Sequence, residues 1–266
     1  MITPLAEAAD PLVFGRKAVA LGTAARAGLP VPGGVALSVD AVEAVVRADP
    51  EVVHTLRRVC ASGGPRAVRS SAVREDSAGA SFAGAYCTVL GVCDPDAVVA
   101  AVRRVHASMD APSARAYRAQ LQLRRSGMAV VIQELVPAEA AGVLFTRNPV
   151  TGAAERVIEA SWGLGEAVVA GLVVPDRFRL DVRGRVLERT MGEKDVALRI
   201  GPAGTREVAV DAPDVHAPCL DDTQLAALHA LAEACDAVYG SREHDIEFAF
   251  RGGAVFLLQR RPITGG

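Results

Sequence analysis

Two acids, an amide and a guanidinium recur at alternating positions near the end of the chain. They are Asp245 and Glu247 in DIEFAF and Gln259 and Arg261 in VFLLQRR, with RGGA between the two segments. Such a stretch reads as a β-hairpin. Asp245, Glu247 and Ala249 then share one face, and Ile246, Phe248 and Phe250 share the other. Pairing Phe250 with Phe256 and Phe248 with Leu258 keeps the apolar face whole. The same register sets Glu247 opposite Gln259 and Asp245 opposite Arg261. The pattern leaves two readings open. One is a salt-bridged sheet face. The other is a metal–phosphate site, because carboxylate and amide oxygens suit Mg²⁺ and a guanidinium suits phosphate oxygens.

Two further groupings have chemical potential. In RAVRSSA (66–72), followed by Glu75-Asp76 and the small-residue stretch 77–85, Arg69, Ser70, Ser71 and Thr88 are natural phosphate donors. The missing bulk would let backbone N–H groups approach an anion, and a flexible surface loop fits the composition equally well. In GVLFTRNPVTG (142–152), Asn148-Pro149 and Thr151-Gly152 are ordinary turn chemistry. The single Trp stands in WGLGE (162–166), which reads as a ligand-closing loop or a packing corner. Neither a GxGxxG nor a Walker A loop occurs.

These residues sit in a globular composition: 266 residues, 50 % hydrophobic and 23 % charged. A formal net charge of −2 leaves no basic excess for nucleic acid or an acidic membrane. The longest apolar run, Ala167 to Val174, falls far short of the roughly 18 residues of a membrane span. The N-terminal MITPLAEAADPL lacks the pattern of a secretory leader. Five cysteines without CxxC spacing argue for reduced thiols, and the expected compartment is the cytoplasm. Only Lys17 and Lys194 are lysines, against 27 arginines. A lysine that persists against this bias marks a place where a compact ammonium is required, with chance an equal explanation for each taken alone.

The elements that must position these groups are legible in outline. Residues 15–28 and 39–48 read as helices, and PVPGG (30–34) as a break. RAVRSS (66–71) reads as a short buried strand. Asp94 or Asp96 is placed to cap a helix running to about Met109. Met128 to Val136 is an apolar run typical of a strand covered on both faces. Gly142–Thr146 and Arg156–Ala160 are further strands, and 177–200 alternates like a hairpin turning at Arg183-Gly184. The clearest helix is 221–239, with Leu225, Leu228, Leu231, Cys235 and Val238 at helical spacing and Asp221 or Asp222 as cap. The mixture indicates an α+β (mixed α/β) protein.

Taken in order, GRKAVALG (15–22) with GLPVPGG (28–34), AVRSSAVREDSAGASFAGAYCTVLGV (67–92), VVIQELVPAEAAGVLFTRNPVTG (130–152), VIEASWGLGEAVVAGLVVPDRF (157–178) and DIEFAFRGGAVFLLQRRPIT (245–264) span almost the whole chain. Together they resemble the nucleotide-binding domain of the phosphoenolpyruvate synthase and pyruvate phosphate dikinase family, which also includes rifampin phosphotransferases. The resemblance implies an ATP-grasp-like fold of two subdomains, 1–127 and 128–266, with the nucleotide cleft between them. It implies that Lys17 and Arg69 hold ATP phosphates, with Thr88 nearby. Gln133, Glu134 and the backbone around Leu135 would meet the adenine edge. Glu247 and Gln259 would ligate Mg²⁺, supported by Asp245, and Arg261 would contact the transferring phosphates. Lys194 falls in a segment that resembles a family G-x-K pattern, and the resemblance carries its role over only weakly.

The chain departs from the family at three points. Gly15-Arg16-Lys17 replaces the usual Gly-Gly-Lys. Lys17 and Arg69 lie 52 positions apart, so the region 35–65 reads as shortened and one cleft wall as reduced or more open. None of the five histidines (His54, His106, His216, His229, His244) lies in a segment like the phosphocarrier motif, and the reading expects no phosphohistidine or PEP-binding domain within these residues. The activity implied is an ATP- and Mg²⁺-dependent phosphotransferase acting directly on a small-molecule or peptide acceptor, for example in natural-product metabolism. The alternatives are an ATP-binding subunit that phosphorylates a histidine on a separate chain, and a non-catalytic ATP-binding regulatory module. Direct transfer yields ADP; a dikinase-type system yields AMP and phosphate.

Overall fold

A computed structural model describes residues 1–61, 63–73, 87–120, 127–202 and 204–263. Glu75, Asp76 and the stretch 77–85 lie outside the described residues. The chain divides into two compact units: Met1–Arg26 with Pro32–Leu135 and Pro202–Gly204, and Ala27–Val31 with Val136–Gly201 and Thr205–Gly266.

The first unit runs β1 (Ile2–Pro4), α1 (Pro11–Arg26), β2 (Gly34–Leu37), α2 (Val39–Val46), α3 (Pro50–Val59), β3 (Arg66–Ala72), β4 (Thr88–Val92), α4 (Pro95–Ala107), α5 (Pro112–Gln120) and β5 (Met128–Glu134). Its five-stranded sheet has the order β1-β2-β5-β3-β4, and every pairing is antiparallel. The helices start where short acceptors cap them: Ser38 for α2, Asp49 for α3 and Asp94 for α4, the last two with Pro at the first helical position. All seven β3 residues are buried, because the sheet is covered on both sides. Val68 and Ala72 join Val42, Val45, Leu56, Val98 and Val102 in the core built with α2, α3 and α4. The alternate positions Arg69 and Ser71 point the other way, and there Ser71 bonds to α1.

The second unit runs β6 (Ala140–Phe145), β7 (Arg156–Trp162), α6 (Glu166–Val169), β8 (Asp176–Leu180), β9 (Val186–Thr190), β10 (Val196–Gly201), β11 (Gly204–Ala209), α7 (Asp222–Tyr239), β12 (His244–Arg251) and β13 (Ala254–Pro262). Six strands form one antiparallel sheet in the order β13-β12-β6-β7-β8-β9. Its apolar face carries the fully buried Ile246, Phe248, Leu144, Ile158 and Phe178. Helix α7 supplies Leu225, Leu228, Leu231 and Cys235 to the core and opens on a capping box between Asp221 and Gln224.

Several expectations change. Helix α1 starts at Pro11 and breaks at Gly15, whose φ of 74° and ψ of 164° are not helical. Strand β2 and helix α3 occupy stretches that the alternation did not mark. Residues 177–200 are not one hairpin: β8 pairs with β9, while β10 pairs with β11 in a separate two-stranded sheet. Strand β5, grouped from sequence with the C-terminal half, lies between β2 and β3, so the first unit extends to Leu135.

The C-terminal hairpin also turns more tightly than expected. Gly252 and Gly253 have φ of 56° and 75°, the two positive values a two-residue primed turn requires. That turn pairs Arg251 with Ala254, Phe250 with Val255 and Phe248 with Leu257, not with Phe256 and Leu258 as the alternation suggested. A bulge between Glu247 and Phe248 then shifts the register by one. The shift restores the expected pairs Glu247–Gln259 and Asp245–Arg261.

Candidate functional site

In the first unit the residues singled out from sequence gather on the face of the sheet next to α1. Thr88 lies opposite Arg69, and Gln133 stands opposite Ala67, two positions along β3 from Arg69. Lys17 follows the break in α1. A Cβ at Gly15 would come within 1.9 Å of the Ser71 carbonyl oxygen, so only glycine allows α1 to lie this close to β3. Ser71 stitches the break: its hydroxyl donates to Phe14 O (2.7 Å) and accepts from Ala18 N (3.0 Å). The helix thus restarts at Arg16-Lys17, held against the sheet face that also carries Arg69. Lys17 and Arg69 are only 7 % and 9 % exposed. Two cations this enclosed suit a polyanionic ligand.

The segment expected at the adenine edge is less open. Gln133 is buried and donates to Pro32 O (3.3 Å). The N–H groups of Glu134 and Leu135 donate to Gly33 O (2.8 Å) and Pro65 O (2.9 Å). Within this unit those two donors are already engaged, so a base reading this strand would meet carbonyl oxygens.

In the second unit the bulged hairpin puts Asp245, Glu247, Gln259 and Arg261 on one sheet face. Arg261 donates from both Nε and Nη2 to Asp245 Oδ2, each at 2.6 Å. Burial pushes the Asp245 carboxyl above the usual carboxylate range, and Arg261 pulls it back down. Asp245 is therefore engaged in orienting a guanidinium, and a cation on this face would begin with the Glu247 carboxylate and the Gln259 amide oxygen. One carboxylate and one amide oxygen, with phosphate oxygens and water completing an octahedron, fit Mg²⁺. No cluster of three His, Cys, Asp or Glu that could by itself hold a metal ion occurs among the described residues.

Beneath this patch, on the α7 side, lies a group that the sequence reading placed only as a neighbour. His244 is fully buried and its Nδ1 accepts from Arg260 Nε (2.8 Å), which leaves the proton on Nε2. Nε2 lies 3.2 Å from Asp236 Oδ1 without hydrogen-bond alignment. Burial, reinforced by Arg260, pushes the imidazole down to about 4. Arg260 in turn stacks 4.2 Å from the Tyr239 ring centroid. This group pins β12 and β13 at the residues next to Asp245 and Arg261. Beside it is a cavity of about 330 Å³ lined by Arg147, Arg156, Asp236 and Arg242, among others, and by none of the predicted site residues.

Lys194 reaches no ligand face. It is 0 % exposed and its Nζ lies 2.5 Å from Asp176 Oδ1. Asp176, equally buried, also accepts from Gly192 N and Cys219 N at 2.8 Å. The pair ties the segment between β9 and β10 to β8, a role in the frame of the unit.

Residues 49–266 match the family model described as pyruvate phosphate dikinase, AMP/ATP-binding domain. The chain belongs to this family. The dikinase-type AMP/ATP-binding match begins after Lys17, so the α1 corner rests on the geometry above. The chain is 39 % identical over 214 residues to a probable phosphoenolpyruvate synthase of Archaeoglobus fulgidus, covering 78 % of this chain and 28 % of that protein. It is 42 % identical over 216 residues to a prodigiosin synthesizing transferase of Serratia marcescens, covering 79 % and 24 %. It is 38 % identical over 221 residues to a rifampicin phosphotransferase of Streptomyces sviceus, covering 80 % and 25 %. The chain thus spans about a quarter of the length of these relatives. No helix among the described residues is long and apolar enough to cross a membrane.

Proposed function

We propose that this AMP/ATP-binding domain carries out the nucleotide half of an ATP- and Mg²⁺-dependent phosphoryl transfer to a small-molecule or peptide acceptor. The observation that carries the reading is the bulged register of β12 and β13, which pairs Glu247 with Gln259 and Asp245 with Arg261 on one face. In this reading Lys17 and Arg69 hold phosphate oxygens, with Thr88 beside Arg69. The carbonyl oxygens around Glu134 and Leu135 receive the adenine amino group, with Gln133 bracing the strand through Pro32. Glu247 and Gln259 hold the metal, with Asp245 holding Arg261 in place for the transferring group. Mg²⁺, when bound, neutralises phosphate charge and orients the oxygens. The remaining catalysis is positioning and charge stabilisation by preset cations, with no covalent protein intermediate.

The relatives' length favours a second reading, in which the phosphoryl group passes first to a histidine on another domain or chain. ³¹P NMR of the protein with Mg·ATP and candidate acceptors separates the two. ADP with a new phosphoryl resonance supports direct transfer. AMP and phosphate, appearing only when a histidine-bearing partner is added, support the relay. Nucleotide binding without turnover under every combination would leave a binding module and reject both.

A further inference from the structure

We infer that Glu159 and Arg177 form an acceptor subsite on the same sheet face as the metal-binding strands, suited to a small bipolar acceptor of the amino-acid type. The inference rests on reading that face as the transfer site. The antiparallel register carries one row across five strands: Gln259 opposite Glu247, Glu247 opposite Val143, Val143 opposite Glu159, and Glu159 opposite Arg177. Directly opposed residues project to the same side of a sheet, so all five share one face. With strands about 4.8 Å apart, Glu159 stands roughly 10 Å along the row from Glu247. Val143, between them, offers an apolar floor.

A purely structural role would join Glu159 and Arg177 in an ion pair, since opposed Cβ atoms lie about 5 Å apart. Among the described residues they form none. Arg177 is half-buried, and its Nε is closed off from solvent with no acceptor. The next arginine on β8 takes the direct contacts: Arg179 binds Glu155 at 2.7 Å and Glu188 at 2.5 Å, while Arg177 feels these two carboxylates only through space. Ser161, two positions from Glu159 on β7 and on the same face, is 1 % exposed, and its hydroxyl also has no partner. Enclosed polar atoms are normally satisfied, so the Arg177 Nε and the Ser161 hydroxyl, closed off without hydrogen-bond partners beside the half-buried Glu159, mark a place where a ligand completes the bonding. Their chemistry specifies that ligand. Glu159 accepts from an ammonium, the Arg177 fork takes a carboxylate, and Ser161 adds one hydrogen bond. An α-amino acid offers both charges one carbon apart.

The test is saturation-transfer NMR on the chain with Mg·ADP, using L-serine, glycolate and ethanolamine as probes. L-Serine is expected to bind, and the two single-headed probes to bind roughly tenfold or more weakly, the worth of one charged hydrogen-bonded contact. Glu159→Gln and Arg177→Gln should each weaken L-serine by a similar factor. Arg177→Lys, which keeps the charge and loses the fork, should fall between. Equal binding of the three probes overturns the subsite, as does L-serine binding that neither substitution changes. Absence of L-serine binding by a chain that does bind Mg·ADP also overturns it. Failure of the wild-type chain to bind Mg·ADP overturns the reading of the face itself, and the subsite with it.

Discussion

The two faces of the six-stranded sheet are built from the same strands and obey opposite rules. On one, Ile246, Phe248, Leu144, Ile158 and Phe178 are fully buried, and even its polar members, His244 and Arg260, are locked to each other. On the other, Glu247, Val143, Glu159 and Arg177 are half-buried beside the enclosed polar groups Asp245, Gln259 and Ser161. Alternation forces this division: each residue added to a strand serves the core or the open face, never both. Folding energy is concentrated on the covered face, and the open face is left available for ligand chemistry.

That contrast can be broken from either side. The largest effect is expected from Phe248→Ala on the covered face. It should lower unfolding stability by about 3–5 kcal/mol in a denaturant melt, because the surrounding core relaxes only partly around the cavity. Glu247→Gln, its chain neighbour on the open face, should do the reverse. The melt should shift by less than ~1 kcal/mol while Mg²⁺-dependent turnover falls by roughly 10²-fold or more. Wild-type turnover in Glu247→Gln would remove Glu247 from the site. Arg261→Lys should also be severe, because Asp245 holds a planar fork that an ammonium cannot reproduce.

A fourth test concerns His244 on the covered face. His244 is neutral in the folded chain down to about pH 4, whereas its unfolded form takes up a proton near 6.5. Between those values the unfolded state binds more protons, so stability is lost as the pH falls, by on the order of 3 kcal/mol. Asp236 and Asp245, whose values are raised, tilt the curve the other way. The difference between wild type and His244→Gln across pH 6.5 to 4 isolates the histidine contribution. The smallest effect should come from Gly253→Ala, which forces a side chain into positive φ and should cost about 1 kcal/mol by the same melt.

Much of the hairpin is readable from its residues because its information is local. Alternation alone puts Asp245 with Glu247 and Gln259 with Arg261, and a tight glycine turn is visible in RGGA. The bulge is not readable. It arises because the two-residue turn sets one parity and the polar pairs require another. The two lysines make a similar point. Their rarity marked both as candidates, and both are buried. Only the fold shows that Lys194 answers Asp176, from a segment 18 positions away, while Lys17 sits at a helix restart that Ser71 of β3 secures. Gln133 was legible as a strand residue; its bond to Pro32, 101 positions away, was not.

The sequence by itself determined what depends on neighbours along the chain: the capping of α7 by Asp221 or Asp222, the strand character of 66–71 and 128–136, the division of the last hairpin into an apolar and a polar face, and the family to which the motifs point. Tertiary structure decided what depends on which segments meet. It placed β5 between β2 and β3, separated β10 from the β8–β9 hairpin, and set Glu159 and Arg177 in the row of Glu247. Nothing in the spacing of those residues along the chain encodes that row. It exists because strands from four distant stretches pair in one register, and that register is chosen by the burial of the opposite face.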